Sequence, residues 1–145
     1  MSRLIFIGCI LYTFLSSANA AATRRLSDPT NGCDLPENEI FLASNGDILY
    51  HIPDDFAGFQ MDLVGPTTID SVKSGGEAKA AGMTVPLIPS RVFGWSLTNV
   101  EVTENCGVLA SLELNGDKTS LENIEFADAT ASTIDVSYHS PMVVD

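Results

Sequence analysis

Residues 54–65, DDFAGFQMDLVG, decide how the chain is read. From Phe59 onward the residues alternate, with Phe59, Met61 and Leu63 on one side and Gln60, Asp62 and Val64 on the other. A period of two marks a half-buried strand, because successive side chains of an extended backbone point to opposite faces. Asp54 and Asp55 stand directly before this strand, and three chemistries are open to them: a catalytic carboxylate pair, a calcium site, or a solvated turn. The strand reading sends Asp62 away from the apolar side and leaves Asp54 and Asp55 closing a loop after Pro53.

The same alternation continues on both sides. EIFLAS (39–44) and DILYH (47–51) flank Asn45-Gly46, a pair that supplies the positive φ angles of a hairpin turn. SGGEAKAAG (74–82) is the one helical turn expected, with glycines at both ends. Pro86 and Pro89 make VPLIPS (85–90) an edge or a loop, since proline cannot donate to a ladder.

RVFGWSLT (91–98) is predicted to put Phe93, Trp95 and Leu97 on the core side, with Gly94, Ser96 and Thr98 opposite. VEVTE (100–104) reads as a further strand, and so does GVLASLEL (107–114), with Val108, Ala110, Leu112 and Leu114 in register. After the turn Asn115-Gly116-Asp117, NIEF (123–126) and TIDVSYH (133–139) close the pattern. Eight or nine short strands with frequent turn signals and one apolar side predict an all-β fold, an antiparallel β-sandwich.

The first twenty residues read differently. Arg3, an apolar run from Leu4 to Leu15 and the small-x-small triplet Ala18-Asn19-Ala20 describe a cleaved signal peptide. The rival is an uncleaved anchor, but the run is shorter than the roughly 20 apolar residues that span a bilayer. The expected organisation is a signal peptide over 1–20, a flexible arm over 21–32 and the sandwich over 33–145. Secretion follows as the expected localisation, with no membrane span in the mature chain.

The whole chain has a formal net charge of −12. The leader holds Arg3 and no acidic residue, so the remainder is one unit more negative. Such a surface argues against nucleic-acid binding, which needs cationic side chains on phosphates. Removing the leader also removes Cys9 and leaves Cys33 and Cys106. An even pair in an exported chain reads as one disulfide, with two free thiols or half a metal site as the alternatives. Nothing has zinc-ligand spacing.

Few residues carry chemistry. Ser96 lacks the second glycine and the strand-to-helix turn of a nucleophile elbow. His51 and His139 stand at strand ends, where solvated imidazoles are expected. Asn45/Asp47, Asp54/Asp55 and Asn115/Asp117 offer oxygen ligands, and calcium takes six to eight of them. Asp54 and Asp55 are the weak calcium candidates, although no DxDxDG loop is present. Trp95 is expected in the core rather than as a sugar-stacking platform. Tyr50, Phe56 and Tyr138 are the better candidates for an exposed ring, although packing is expected for them too.

Six pieces, EIFLASNGDILYH, DDFAGFQMDLVG, SGGEAKAAGMTV, VFGWSLTNVEV, NCGVLASLELNG and LENIEFADATASTIDVSY, follow one another from Glu39 to Tyr138. In order and spacing the run resembles cohesin-like β-sandwich domains of secreted microbial proteins. The resemblance implies a jelly roll of about nine strands and a non-catalytic module. Its partner would be an extracellular protein, dockerin-like or on a surface, or a polysaccharide. A carbohydrate-binding module proper is the alternative, and a small glycan-active enzyme a third reading. No dockerin, catalytic module or wall anchor is expected beside the domain, and no binding residues carry over. In such a variant the Cys33–Cys106 pair staples the N-terminal segment to a later strand.

Overall fold

The computed structural model describes residues 27–140. The predicted signal peptide, residues 21–26 of the predicted arm and residues 141–145 lie outside the described residues. Among the described residues nine strands form: β1 (Glu39–Leu42), β2 (Asp47–His51), β3 (Gly58–Leu63), β4 (Thr68–Ser74), β5 (Arg91–Trp95), β6 (Cys106–Asn115), β7 (Leu121–Ala127), β8 (Thr133–Ile134) and β9 (Ser137–Tyr138). They pair as a five-stranded sheet in the order β4-β6-β2-β1-β9 and a four-stranded sheet in the order β5-β3-β7-β8. All pairings are antiparallel except β1 with β9. The chain is therefore an all-β sandwich. The one α-helix among the described residues, α1 (Gly76–Ala80), lies where the glycine-bounded stretch predicts it.

The β1–β2 hairpin forms with Leu42 opposite Ile48. Ala43 donates to and Gly46 closes back on its own loop (Ala43 N to Asp47 O 2.8 Å, Gly46 N to Ala43 O 2.9 Å). Only Gly46 takes a positive φ, 94°. This is a three-residue loop with glycine at its left-handed position, rather than a two-residue Asn-Gly turn.

The alternation of β3 holds: Phe59, Met61 and Leu63 are buried, Gln60 and Asp62 are not. Between the sheets the core is knitted by rings, with Phe56 edge-on to Phe126 at 5.0 Å and to Tyr50 at 5.7 Å, and Phe59 stacked on Phe126 at 5.7 Å. Edge-to-face pairs of this kind add to the hydrophobic gain because the positive ring edge meets the negative ring face. Tyr50 and Phe56 are thus packing residues, fully buried. Burial pushes the Tyr50 phenol well above its ordinary range, with Glu77 and Glu104 adding to the shift. Its hydroxyl donates to the Glu104 carbonyl at 2.9 Å. Tyr138 is half-buried, and its hydroxyl accepts from Leu42 N at 3.2 Å.

Cys33 and Cys106 form a disulfide across a sequence separation of 73. It ties the 3-10 turn Gly32–Asp34, capped by the Asn31 side chain, to the start of β6. Gly32 is required there: a Cβ would meet Gly107 O at 2.4 Å and Tyr50 O at 2.5 Å. Among the described residues no helix is long and apolar enough to cross a membrane.

Four expectations need correction. VEVTE is not a strand; Val102 makes one isolated bridge, to Phe56. The pairing of β6 with β2 shifts between Ile48 and Leu49, which face Ala110 and Val108, and the skipped Leu109, not Val108, is fully buried in the core. A bulge of this kind puts two residues against one, so strict alternation fails across it. TIDVSYH is two strands, and the chain leaves one sheet at Ile134 and joins the other at Ser137. Finally, β5 buries the opposite face from the one expected, and this decides where the candidate site lies.

Candidate functional site

In β5 the buried residues are Val92 and Gly94, while Phe93 and Trp95 are half-buried on the outer face. The cause lies on the neighbouring strand. Gly94 stands opposite Phe59, and a Cβ on Gly94 would come within 2.4 Å of Phe59 Cζ. The Phe59 ring fills the space that a side chain at residue 94 would need. Trp95 is consequently not a core residue, and Leu97 is 84% exposed beyond the strand end. Ser96 is not in a strand either. Its Oγ accepts from Thr98 N at 3.2 Å and Val100 N at 2.8 Å, closing the loop that follows.

Register then builds a groove across all four strands of this sheet. Trp95 faces Gly58, Gly58 faces Ala127, and Ala127 faces Thr133. The next row is Phe93, Gln60 and Glu125. Strands lie about 4.8 Å apart, so the first row spans roughly 14 Å from Trp95 to Thr133. Its two middle positions carry almost no side chain. The result is a cavity of about 310 Å³ with Gly58 and Ala127 as floor, the Trp95–Phe93 pair on one side and Thr133 on the other. The two rings are 4.9 Å apart and inclined at 43°.

The walls are held firmly. Trp95 pairs with Gly58 on one side and on the other exchanges backbone bonds with Thr84 (2.9 and 3.2 Å). The Gln60 side-chain amide donates to Glu125. One row further, Arg91 Nε donates to Asp62 Oδ1 at 2.7 Å, its Nη2 reaches Oδ2 at 3.4 Å, and Asn123 Nδ2 donates to Oδ2 at 3.0 Å. The Arg91 and Asn123 hydrogen bonds hold the Asp62 carboxyl below the usual carboxylate range. Such a surface offers apolar faces beside fixed donors and acceptors, the mixture by which ligand sites orient what they bind.

Against protein-family models, curated proteins and solved structures, the chain finds no match. The resemblance to cohesin-like domains therefore rests on the sequence pieces alone.

The other expected positions lie elsewhere. Asp54 and Asp55 are exposed in the bend between β2 and β3. Among the described residues no three His, Cys, Asp or Glu side chains are grouped to hold an ion. His51 and His139 are not freely solvated. His51 Nδ1 lies 2.6 Å from the Leu35 carbonyl, and His139 Nδ1 lies 2.7 Å from Glu39 Oε1. Both act as ties at one end of the five-stranded sheet, where Glu39 stands opposite His51. Asp47 accepts from Ser111 Oγ on β6 at 2.6 Å and from Asn45 Nδ2 at 3.2 Å, so its carboxylate braces the turn and ties it to the neighbouring strand. The Asp128 carboxylate, lowered chiefly by the Thr130 hydroxyl and then by Ser132 N, likewise folds its own β7–β8 turn.

Reading the sequence residue by residue missed the groove. The signal was present in Gly58 and Gly94, two glycines in strands that also carry exposed-face aromatics and amides. Only the pairing of β3 with β5 gives that signal its meaning.

Proposed function

We propose that this chain is an exported, non-catalytic binding module that engages an extracellular polysaccharide through the groove of the β5-β3-β7-β8 sheet. The observation that carries the reading is the Trp95–Phe93 pair on the outer face beside Gln60, Glu125 and Thr133, over a floor of Gly58 and Ala127. A pyranose ring has a face of C–H groups and a rim of hydroxyls. The first suits an aromatic surface, and the second suits amide, carboxylate and hydroxyl partners.

Aromatic rings are enriched at protein interfaces too, so what favours a sugar is the side-chain-poor floor of Gly58 and Ala127 beside the hydroxyl-pairing groups of Gln60, Glu125 and Thr133. An enzymatic reading has less support. Glycoside hydrolysis uses two carboxylates about 5–10 Å apart, and Glu125 is the one carboxylate among the lining residues. Export is supported by the leader-like first twenty residues and by the Cys33–Cys106 disulfide, a bond that persists in oxidising compartments. The cohesin-like kinship remains part of the proposal.

The test is retention of the purified chain on a panel of immobilised polysaccharides, beside a pull-down of protein partners. Retention on at least one polysaccharide, lost in Trp95→Ala, supports the reading. No retention on any of them, with capture of a protein partner that survives Trp95→Ala, overturns it.

A further inference from the structure

The electrostatics of the groove narrow the ligand, and the argument rests on the polysaccharide reading above. Strands β3, β5, β7 and β8 together contain three carboxylates, Asp62, Glu122 and Glu125, and one cation, Arg91. That cation is already engaged: its guanidinium makes two hydrogen bonds to Asp62. A bidentate pair of this kind leaves little charge to attract a uronate or a sulfate. Glu125 lines the groove itself, and although Arg91 feels its field, the four strands carry two more carboxylates than cations. The whole chain adds to the same sign, with a net charge of −12. An anionic glycan would be repelled both on approach and at contact.

The hydrogen-bonding groups fit hydroxyls instead. Glu125 accepts from Gln60 Nε2 and keeps further acceptor capacity. Gln60 keeps its carbonyl oxygen and its second amide hydrogen. Thr133 both donates and accepts. Sugar hydroxyls also do both, so each can be paired without a charge on the ligand. The volume of about 310 Å³ lies at the small end of ligand sites, suited to one or two rings. We infer that the groove selects an uncharged glycan, seating a neutral pyranose over Gly58 and Ala127 against Trp95, with Gln60, Glu125 and Thr133 binding its hydroxyls.

Gly58 supplies a clean test. A Cβ at this position meets only Gly94 O, at an ordinary 3.7 Å, so a side chain can start here, on the floor of the groove, without a backbone clash. Gly58→Val and Trp95→Ala are compared with the parent chain by affinity electrophoresis and calorimetry, after thermal unfolding shows each variant folded. The probes are neutral β-glucan, mannan and chitin oligosaccharides, with alginate, polygalacturonate and chitosan oligosaccharides as charged counterparts.

The expected result is binding of at least one neutral probe, weakened by tenfold or more in both variants. Its affinity is expected to change by less than about twofold between low and high salt, because no ion pair is screened. Binding confined to alginate or polygalacturonate, or binding of chitosan that falls steeply with salt, overturns the inference. If that binding is still lost in Gly58→Val, the polysaccharide reading survives. Failure of every glycan to bind sinks both.

Discussion

Gly94→Ala is the substitution that most directly probes why the groove exists. The added methyl would lie 2.4 Å from Phe59 Cζ and 2.5 Å from Cε1, where carbon atoms normally rest about 3.5–4.0 Å apart. The ring must therefore move by more than about 1 Å, and it has little room. It is stacked on Phe126 at 5.7 Å and edge-on to Phe56 at 6.4 Å. Overpacking of a tight core costs about 1–3 kcal/mol. We expect about 2 kcal/mol here, which for a domain of this size lowers the melting temperature by roughly 6–10 °C.

Phe59→Leu removes the ring edge that clashes. Phe59→Leu/Gly94→Ala should therefore lose less than the sum of the single substitutions, with a coupling of about 1 kcal/mol or more. Denaturant or thermal unfolding of the four chains measures the cycle. A Gly94→Ala cost below about 0.5 kcal/mol, or additivity within the usual 0.3–0.5 kcal/mol, would refute the close approach of Phe59 as the cause of the inverted face.

Two further predictions concern stability. Removing the disulfide with Cys33→Ser/Cys106→Ser opens a closed loop of 73 residues and is expected to cost about 4 kcal/mol on chain entropy, readable as a lower denaturation midpoint; an unchanged midpoint would contradict it. Asp62 is depressed by Arg91 and then Asn123, so its pairing stabilises the fold above the ordinary carboxylate range and is lost as pH falls through the depressed value. The stability difference between the parent and Asp62→Asn should accordingly be present near about pH 6 and vanish in strong acid, and a difference independent of pH would show that the ion pair is not its source.

Several features of the fold were legible because they are local. The alternation of Phe59, Met61 and Leu63, the hairpin at Asn45-Gly46 and the glycine-bounded helical turn each follow from the conformational preferences of a few neighbouring residues. The disulfide was also legible, because setting aside Cys9 with the expected signal peptide leaves only Cys33 and Cys106 to pair.

The candidate site was not legible in the same way. Period two predicts that a strand has two faces, but it does not say which face is buried when both carry apolar residues. In RVFGW the choice lay between Val92/Gly94 and Phe93/Trp95, and local bulk favoured the wrong pair. The Phe59 ring, brought across from β3, needed the space over Gly94 and sent the larger aromatics outward. The chain alone determined a stapled, acidic, all-β domain from local periodicity, turn chemistry and composition. Tertiary pairing alone decided that Trp95, Gly58, Ala127 and Thr133 share one row, because a groove four strands wide is a property of register, which no single strand contains.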